Sequence, residues 1–97
     1  MDILNCAYDL SVRIAEAVRY LKEIHSEYPL TDKLLECGIK AGICAREGDF
    51  KNTADNIRQV DYILEMAVRS GYLSERQSLP IRKECAELLT AMKESVK

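Results

Sequence analysis

The stretch CGIKAGICAREG, Cys37 to Gly48, holds two glycines four residues apart, and from Cys37 to Ala45 its only charged residue is Lys40. Glycine lowers helix stability by about 1 kcal/mol relative to alanine, so two inside one helix must be offset by unusually close packing. At helical spacing Leu35, Gly38, Gly42 and Ala45 share one side and Ile39 and Ile43 another, so the segment is apolar nearly all round. A helix of a lone four-helix bundle keeps roughly half its circumference in water, which leaves Ile39 and Ile43 wet if the glycine side faces the core. Gly38-x-x-x-Gly42 and Ala41-x-x-x-Ala45 offer the flat small-residue surface that lets helices approach closely. The expectation is a helix that packs on copies of itself, with Gly38, Ile39, Ala41, Gly42, Ile43 and Ala45 as the oligomer interface.

The segments around it carry a single stripe each. Ile3, Ala7, Leu10, Ile14, Ala17, Leu21 and Ile24 alternate steps of four and three, which predicts one helix with a continuous inward face. Pro29 disfavours helix at Tyr28, and Thr31, followed by Asp32, is the expected N-cap of the second helix. Gly48 ends that helix and Asp49 caps a third, whose stripe is Phe50, Ala54, Ile57, Leu64 and Val68, widened by Val60 and Ile63. Gly71 supplies the left-handed residue that closes it, with Tyr72 or Leu73 folding back.

Ser74 to Gln77, SERQ, has the form of a capping box, but Pro80 would cost about 3 kcal/mol inside an established helix. Either the fourth helix kinks there, or its main body starts at Ser78 with Pro80 in the first turn. Its stripe is Ile81, Cys85, Leu88, Met92 and Val96. Such short connections join antiparallel neighbours, so residues 1–97 read as a single all-α domain, an antiparallel up-down-up-down four-helix bundle. A chain of 97 residues without Trp and with one Phe supports one modest core.

Charge and cysteine usage narrow the function. The 14 basic and 16 acidic side chains are interspersed, giving a formal charge of −2, which argues against attraction of the whole molecule to nucleic acid or anionic membrane. No run approaches the roughly 18 apolar residues of a membrane span, and the N-terminus MDILNCAYDLSVR lacks a basic region before an apolar run, so the cytoplasm is the expected address. Cys37 and Cys44 are seven residues apart, roughly 10 Å of helical rise, too far for a bridge within one helix. Without C-x-x-C, and with His25 as the one histidine, no metal site or cofactor is expected; Cys6, Cys37, Cys44 and Cys85 read as small buried thiols in a reducing compartment.

Glycine-rich phosphate loops, H-E-x-x-H and nucleophile elbows are all missing, so no catalytic residue is assigned. Asp61 interrupts the third stripe and is expected at a seam edge, paired with an arginine or reaching water. Arg46 and Glu47 point about 100° apart on a helix and cannot converge as an acid–base pair; structural ion pairing, at the helix end or across subunits, is their expected role. Arg13, Arg19, Lys22, Lys33 and Lys40 are the candidate contacts for nucleic acid or a partner, since symmetry in an oligomer multiplies a small basic patch.

LLECGIKAGICAREG followed by SGYLSE resembles a bacterial four-helix-bundle family first noticed in proteins encoded by ribosomal-RNA intervening sequences. Its relatives include the accessory variability determinant proteins of diversity-generating retroelements. One branch has a second helix of the form L-L-x-S-G-T-S-I-G-A-N-I-R-E-A, onto which Leu34, Leu35, Gly38, Gly42, Arg46 and Glu47 fall, and its Gly-Tyr-Leu matches Gly71, Tyr72 and Leu73. Cys37 and Cys44 stand where that branch usually shows Ser and Asn. The resemblance implies a bundle that assembles as a ring-like homopentamer, has no catalytic activity and, in the retroelement relatives, partners a reverse transcriptase and its RNA. Two functions are therefore expected in competition: an accessory or adaptor protein in a nucleic-acid process, and a protein-only scaffold, which the near-neutral charge suits better.

Overall fold

The computed structural model describes residues 2–95, so Val96 of the expected fourth stripe lies outside the described residues. Four helices follow one another: α1 (Ile3–Ile24), α2 (Thr31–Arg46), α3 (Phe50–Arg69) and α4 (Glu75–Ser95), with no strand among the described residues. α1 packs on α2, α2 on α3, α3 on α4, and α4 returns to α1, forming a four-helix bundle of 41 × 21 × 18 Å. Leu10, Ile14 and Leu21 of α1, Leu34 and Cys37 of α2, Ile57, Val60 and Leu64 of α3, and Cys85 and Leu88 of α4 fill its centre. None of the described helices is long and apolar enough to cross a membrane.

The helix ends follow local chemistry. Asp2 and Asp49 cap α1 and α3 by accepting hydrogen bonds from the backbone N–H of Asn5 (3.2 Å) and Asn52 (3.1 Å). The Asn52 side-chain amide also donates to the Asp49 carboxylate, and these two bonds hold the Asp49 acid below the usual carboxylate range. Gly48 (φ 76°) and Gly71 (φ 87°) take the left-handed conformations expected of them, and the N–H groups of Tyr72 and Leu73 both return to the Ala67 carbonyl. At the start of α4 both limbs of the capping box form: Gln77 N–H donates to Ser74 Oγ at 3.0 Å, and Ser74 N–H donates to Gln77 Oε1 at 2.8 Å.

Three expectations are corrected. Thr31 is the first residue of α2, not its cap: the cap position falls on Leu30, the buried Thr31 hydroxyl donates back to the Tyr28 carbonyl at 3.1 Å, and the α2 N-terminus has no side-chain cap. Of the two alternatives for α4, a main body starting at Ser78 is set aside: the helix starts at Glu75 and runs on through Pro80. The proline has no N–H to donate to the Arg76 carbonyl one turn before it. Ile24 is 58% exposed, while Val18 is buried in its place. Steps averaging 3.5 residues drift by about 20° per heptad on a straight helix, so the far end of the stripe rotates out of the core.

One end of the bundle is tied by aromatic rings. Tyr28, in the α1–α2 connection, packs on Tyr72, in the α3–α4 connection, with ring centroids 4.2 Å apart, and its hydroxyl lies 3.5 Å from the Ile63 carbonyl. His25 meets Tyr72 edge-on at 5.2 Å. Burial and the neighbouring Tyr72 push the Tyr28 phenol above its ordinary pKa.

All four cysteines are free. Burial pushes the Cys85 thiol up to about 12, whereas Cys6 is partly exposed. In a timed iodoacetamide reaction on the folded protein, Cys6 is therefore labelled well before Cys85. Equal rates at the two sites, read by peptide mass spectrometry, would contradict this packing.

Candidate interaction surfaces

The glycines of α2 turn inward onto α1. Gly38, Ala41 and Ala45 are buried within the chain. A Cβ at Gly38 would lie 3.0 Å from Ile14 Cγ2, and one at Gly42 would lie 2.9 Å from Ser11 Oγ. The Ser11 hydroxyl is 2.9 Å from the Gly38 carbonyl and 3.0 Å from that of Ala7, so the close approach is stitched by a polar bond as well. The close contact expected between copies is thus made between two helices of one chain, and Gly38, Ala41 and Ala45 are not open to a second copy. Ser11 is the residue the sequence reading passed over; a serine between Leu10 and Val12 is the one signal that could have pointed to it.

The other side of α2 stays open: Ile39 is 49% and Ile43 52% exposed. On α1, Leu4, Tyr8 and Val12 follow one another at one-turn intervals and are likewise about half exposed. At 100° per residue, Leu4, Tyr8 and Val12 lie just beyond Ser11 on α1, and Ile39 and Ile43 just beyond Gly42 on α2. Ser11 and Gly42 are in contact, so the two rows flank one seam and form a single apolar face. At its edge the Arg46 guanidinium sits 5.5 Å from the Tyr8 ring centroid, a cation–π contact. Among the described residues Arg46 and Glu47 make no ion pair within the chain, which corrects the expected pairing at the helix end: the Tyr8 ring takes the cation, and Glu47 ends α2 through its backbone N–H.

The five candidate basic contacts do not converge. Arg13 is bound to Glu84 of α4 at 2.6 Å, Lys22 to Asp32 at 2.9 Å and Lys40 to Glu36 at 2.8 Å. The Glu36 carboxylate beside it raises the Lys40 pKa, and Glu36 is lowered in turn. Arg19 and Lys33 have no ion pair among the described residues and lie on different helices. A different set of cations, Lys51, Arg58 and Lys93, rims a groove of about 750 Å³ between the start of α3 and the end of α4, over Phe50, Ala54, Leu89 and Met92. Lys51 and Arg58, seven apart on α3, share a face by helical periodicity, but only the packing of α4 on α3 adds Lys93.

The polar seam residue behaves as expected: Asp61 accepts from Arg82 Nε at 2.9 Å, and this partner raises the Arg82 pKa. No group of three or more His, Cys, Asp or Glu side chains among the described residues is placed to hold a metal.

Four helices in a closed bundle, with two glycines at one seam, define the class of fold. No protein-family model and no curated protein matches the chain. Among solved structures it is similar to a Bacteroides thetaiotaomicron protein of unknown function from the S23 ribosomal protein family. The TM-score is 0.92 at 18% identity, over 98% of each chain, which establishes a shared fold.

Proposed function

We propose that this protein is a non-enzymatic accessory scaffold that works as a homo-oligomer in the cytoplasm, with a ring of up-down-up-down bundles as its working form. The observation that carries this is the open apolar face of Leu4, Tyr8, Val12, Ile39 and Ile43. Five large side chains, each about half open, amount to on the order of 400 Å², a size at which exposed apolar patches commonly mark binding sites. Chain direction supports the up-down order: Tyr8 meets Arg46 whereas Lys22 meets Asp32, so α1 and α2 run oppositely. The family resemblance in Leu34, Leu35, Gly38, Gly42 and Gly71-Tyr72-Leu73 supports the ring, and five copies is the expected number. The pairing of Asp61 with Arg82 and of Glu84 with Arg13 favours structural over catalytic carboxylates.

Sedimentation equilibrium provides the test. The expected mass is a multiple of 11.0 kDa, and the double variant Val12→Lys/Ile43→Lys is expected to sediment as a single subunit with unchanged helicity. A wild-type monomer at high concentration would overturn the proposal.

A nucleic-acid role, alone or beside a reverse transcriptase, rests on Lys51 and Lys93 around their groove, repeated in every copy. If it holds, RNA binding at low salt weakens steeply as salt rises, and Lys51→Ala/Lys93→Ala flattens that slope by about 2 per subunit engaged. Binding without a salt slope would leave the protein-only scaffold, whose partner survives nuclease treatment in a pull-down.

A further inference from the structure

A second apolar surface lies on a different side of the bundle. Leu30 at the start of α2 and Tyr62, Ile63 and Met66 on α3 line a recess of about 410 Å³, with Lys33 and Arg58 at its rim. Tyr62 is 65% exposed and Met66 also stands open. At 100° per residue, Glu36 and Lys40 fall between Lys33 and the Ile39–Ile43 row, so a charged strip divides this recess from the α1–α2 face.

From these two surfaces we infer that the oligomer is built head to tail: the α1–α2 face of one copy seats in the α2–α3 recess of the next. This rests on the self-association proposed above and names the surface that receives the open face. Self-pairing of the α1–α2 face covers that face alone and leaves Tyr62 and Met66 in water, whereas face-on-recess packing covers both apolar surfaces in one contact. Charge fits the same arrangement at two points of the rim, while the Arg46 cation stays on the Tyr8 ring at a third. Glu16, one turn after Val12, and Glu47, one turn after Ile43, have no ion pair among the described residues. The recess offers Lys33, also without one, and Arg58, whose single partner Asp55 is 3.3 Å away and exposed. Two different surfaces in contact make a heterologous interface, the kind that propagates into rings, whereas a self-complementary patch stops at two copies.

Complementation tests this directly. The face variant Val12→Lys/Ile43→Lys and the recess variant Tyr62→Lys/Met66→Lys alter exposed side chains, so each is expected to keep wild-type helicity. Each alone is expected to sediment at about 11.0 kDa; mixed in equal amounts, each supplies the surface the other lacks, and the mass doubles to that of a dimer. A recess variant that assembles like the wild type, or a mixture that stays monomeric, overturns the head-to-tail contact while leaving self-association standing. A monomeric wild type overturns both.

Discussion

Gly38→Leu destabilises the single subunit rather than merely separating copies. The first atom of the new side chain would already lie 3.0–3.3 Å from three carbons of Ile14, and the rest of a leucine has no room between α1 and α2. Overpacking of this kind costs about 1–3 kcal/mol or somewhat more, while loss of a helical glycine gives back about 1 kcal/mol. The side chain also breaks the bond from Ser11 to the Gly38 carbonyl by pushing the helices apart. With about 1 kcal/mol for that bond, a net loss of about 1–3 kcal/mol is expected, a fall of roughly 4–24 °C in Tm for a chain of this length. Ile14→Ala supplies the control. Alone it opens a cavity and destabilises by about 2–5 kcal/mol, but with Gly38→Leu the new leucine fills the space left by Ile14. The double variant is then more stable than the sum of the single changes by about 1–3 kcal/mol. Strict additivity in urea titrations would mean that Gly38 and Ile14 do not share this seam.

That experiment also marks where the sequence stops being informative. Two glycines four apart state that some helix must come close, because nothing else offsets their backbone entropy. They do not state which helix. The partner is α1 of the same chain, identified by Ser11, and a serine in a stripe of Leu10 and Ile14 looks like any solvent-facing residue until the Gly38 carbonyl appears 2.9 Å from it. The inference that Ile39 and Ile43 lack cover within the chain needed only helical geometry, and both remain open. The cations fared differently. Arg13, Lys22 and Lys40 are basic in sequence but neutralised in space by Glu84, Asp32 and Glu36, two of them on other helices. Caps and turns were the most legible: Asp49, Gly48, Gly71 and the Ser74–Gln77 box act through bonds spanning a few residues, so no tertiary context can hide them. Thr31 escaped because α2 begins one residue earlier than the cap reading requires, with Leu30 at the cap position and Thr31 already inside the first turn.

Within α1 the limit of pattern reading becomes a measurable difference between two residues of one stripe. Leu21 and Ile24 are three apart, both aliphatic, and occupy the two alternating positions of the stripe of fours and threes that begins at Ile3. Leu21 is 0% exposed, whereas Ile24, in the last turn of α1, faces water over more than half its surface. Leu21→Ala removes three carbons from a closed core and is expected to destabilise by about 3–4 kcal/mol through lost transfer energy and an unfilled cavity. Ile24→Ala removes atoms that water already reaches, so a change within about 0.5 kcal/mol is expected. Val18, buried where the ideal stripe would place only Ala17, behaves like Leu21: Val18→Ala leaves a cavity of two carbons and costs on the order of 2 kcal/mol. Urea midpoints taken on dilute protein, with m unchanged, order the three variants as Leu21, Val18, Ile24 from most to least damaging. A straight helix cannot keep a 3.5-residue repeat on its partner for three heptads, so the ranking reports the drift itself. Equal losses at Leu21 and Ile24 would mean that α1 supercoils to hold its stripe inward, and that the exposure of Ile24 is not a property of the folded chain in solution.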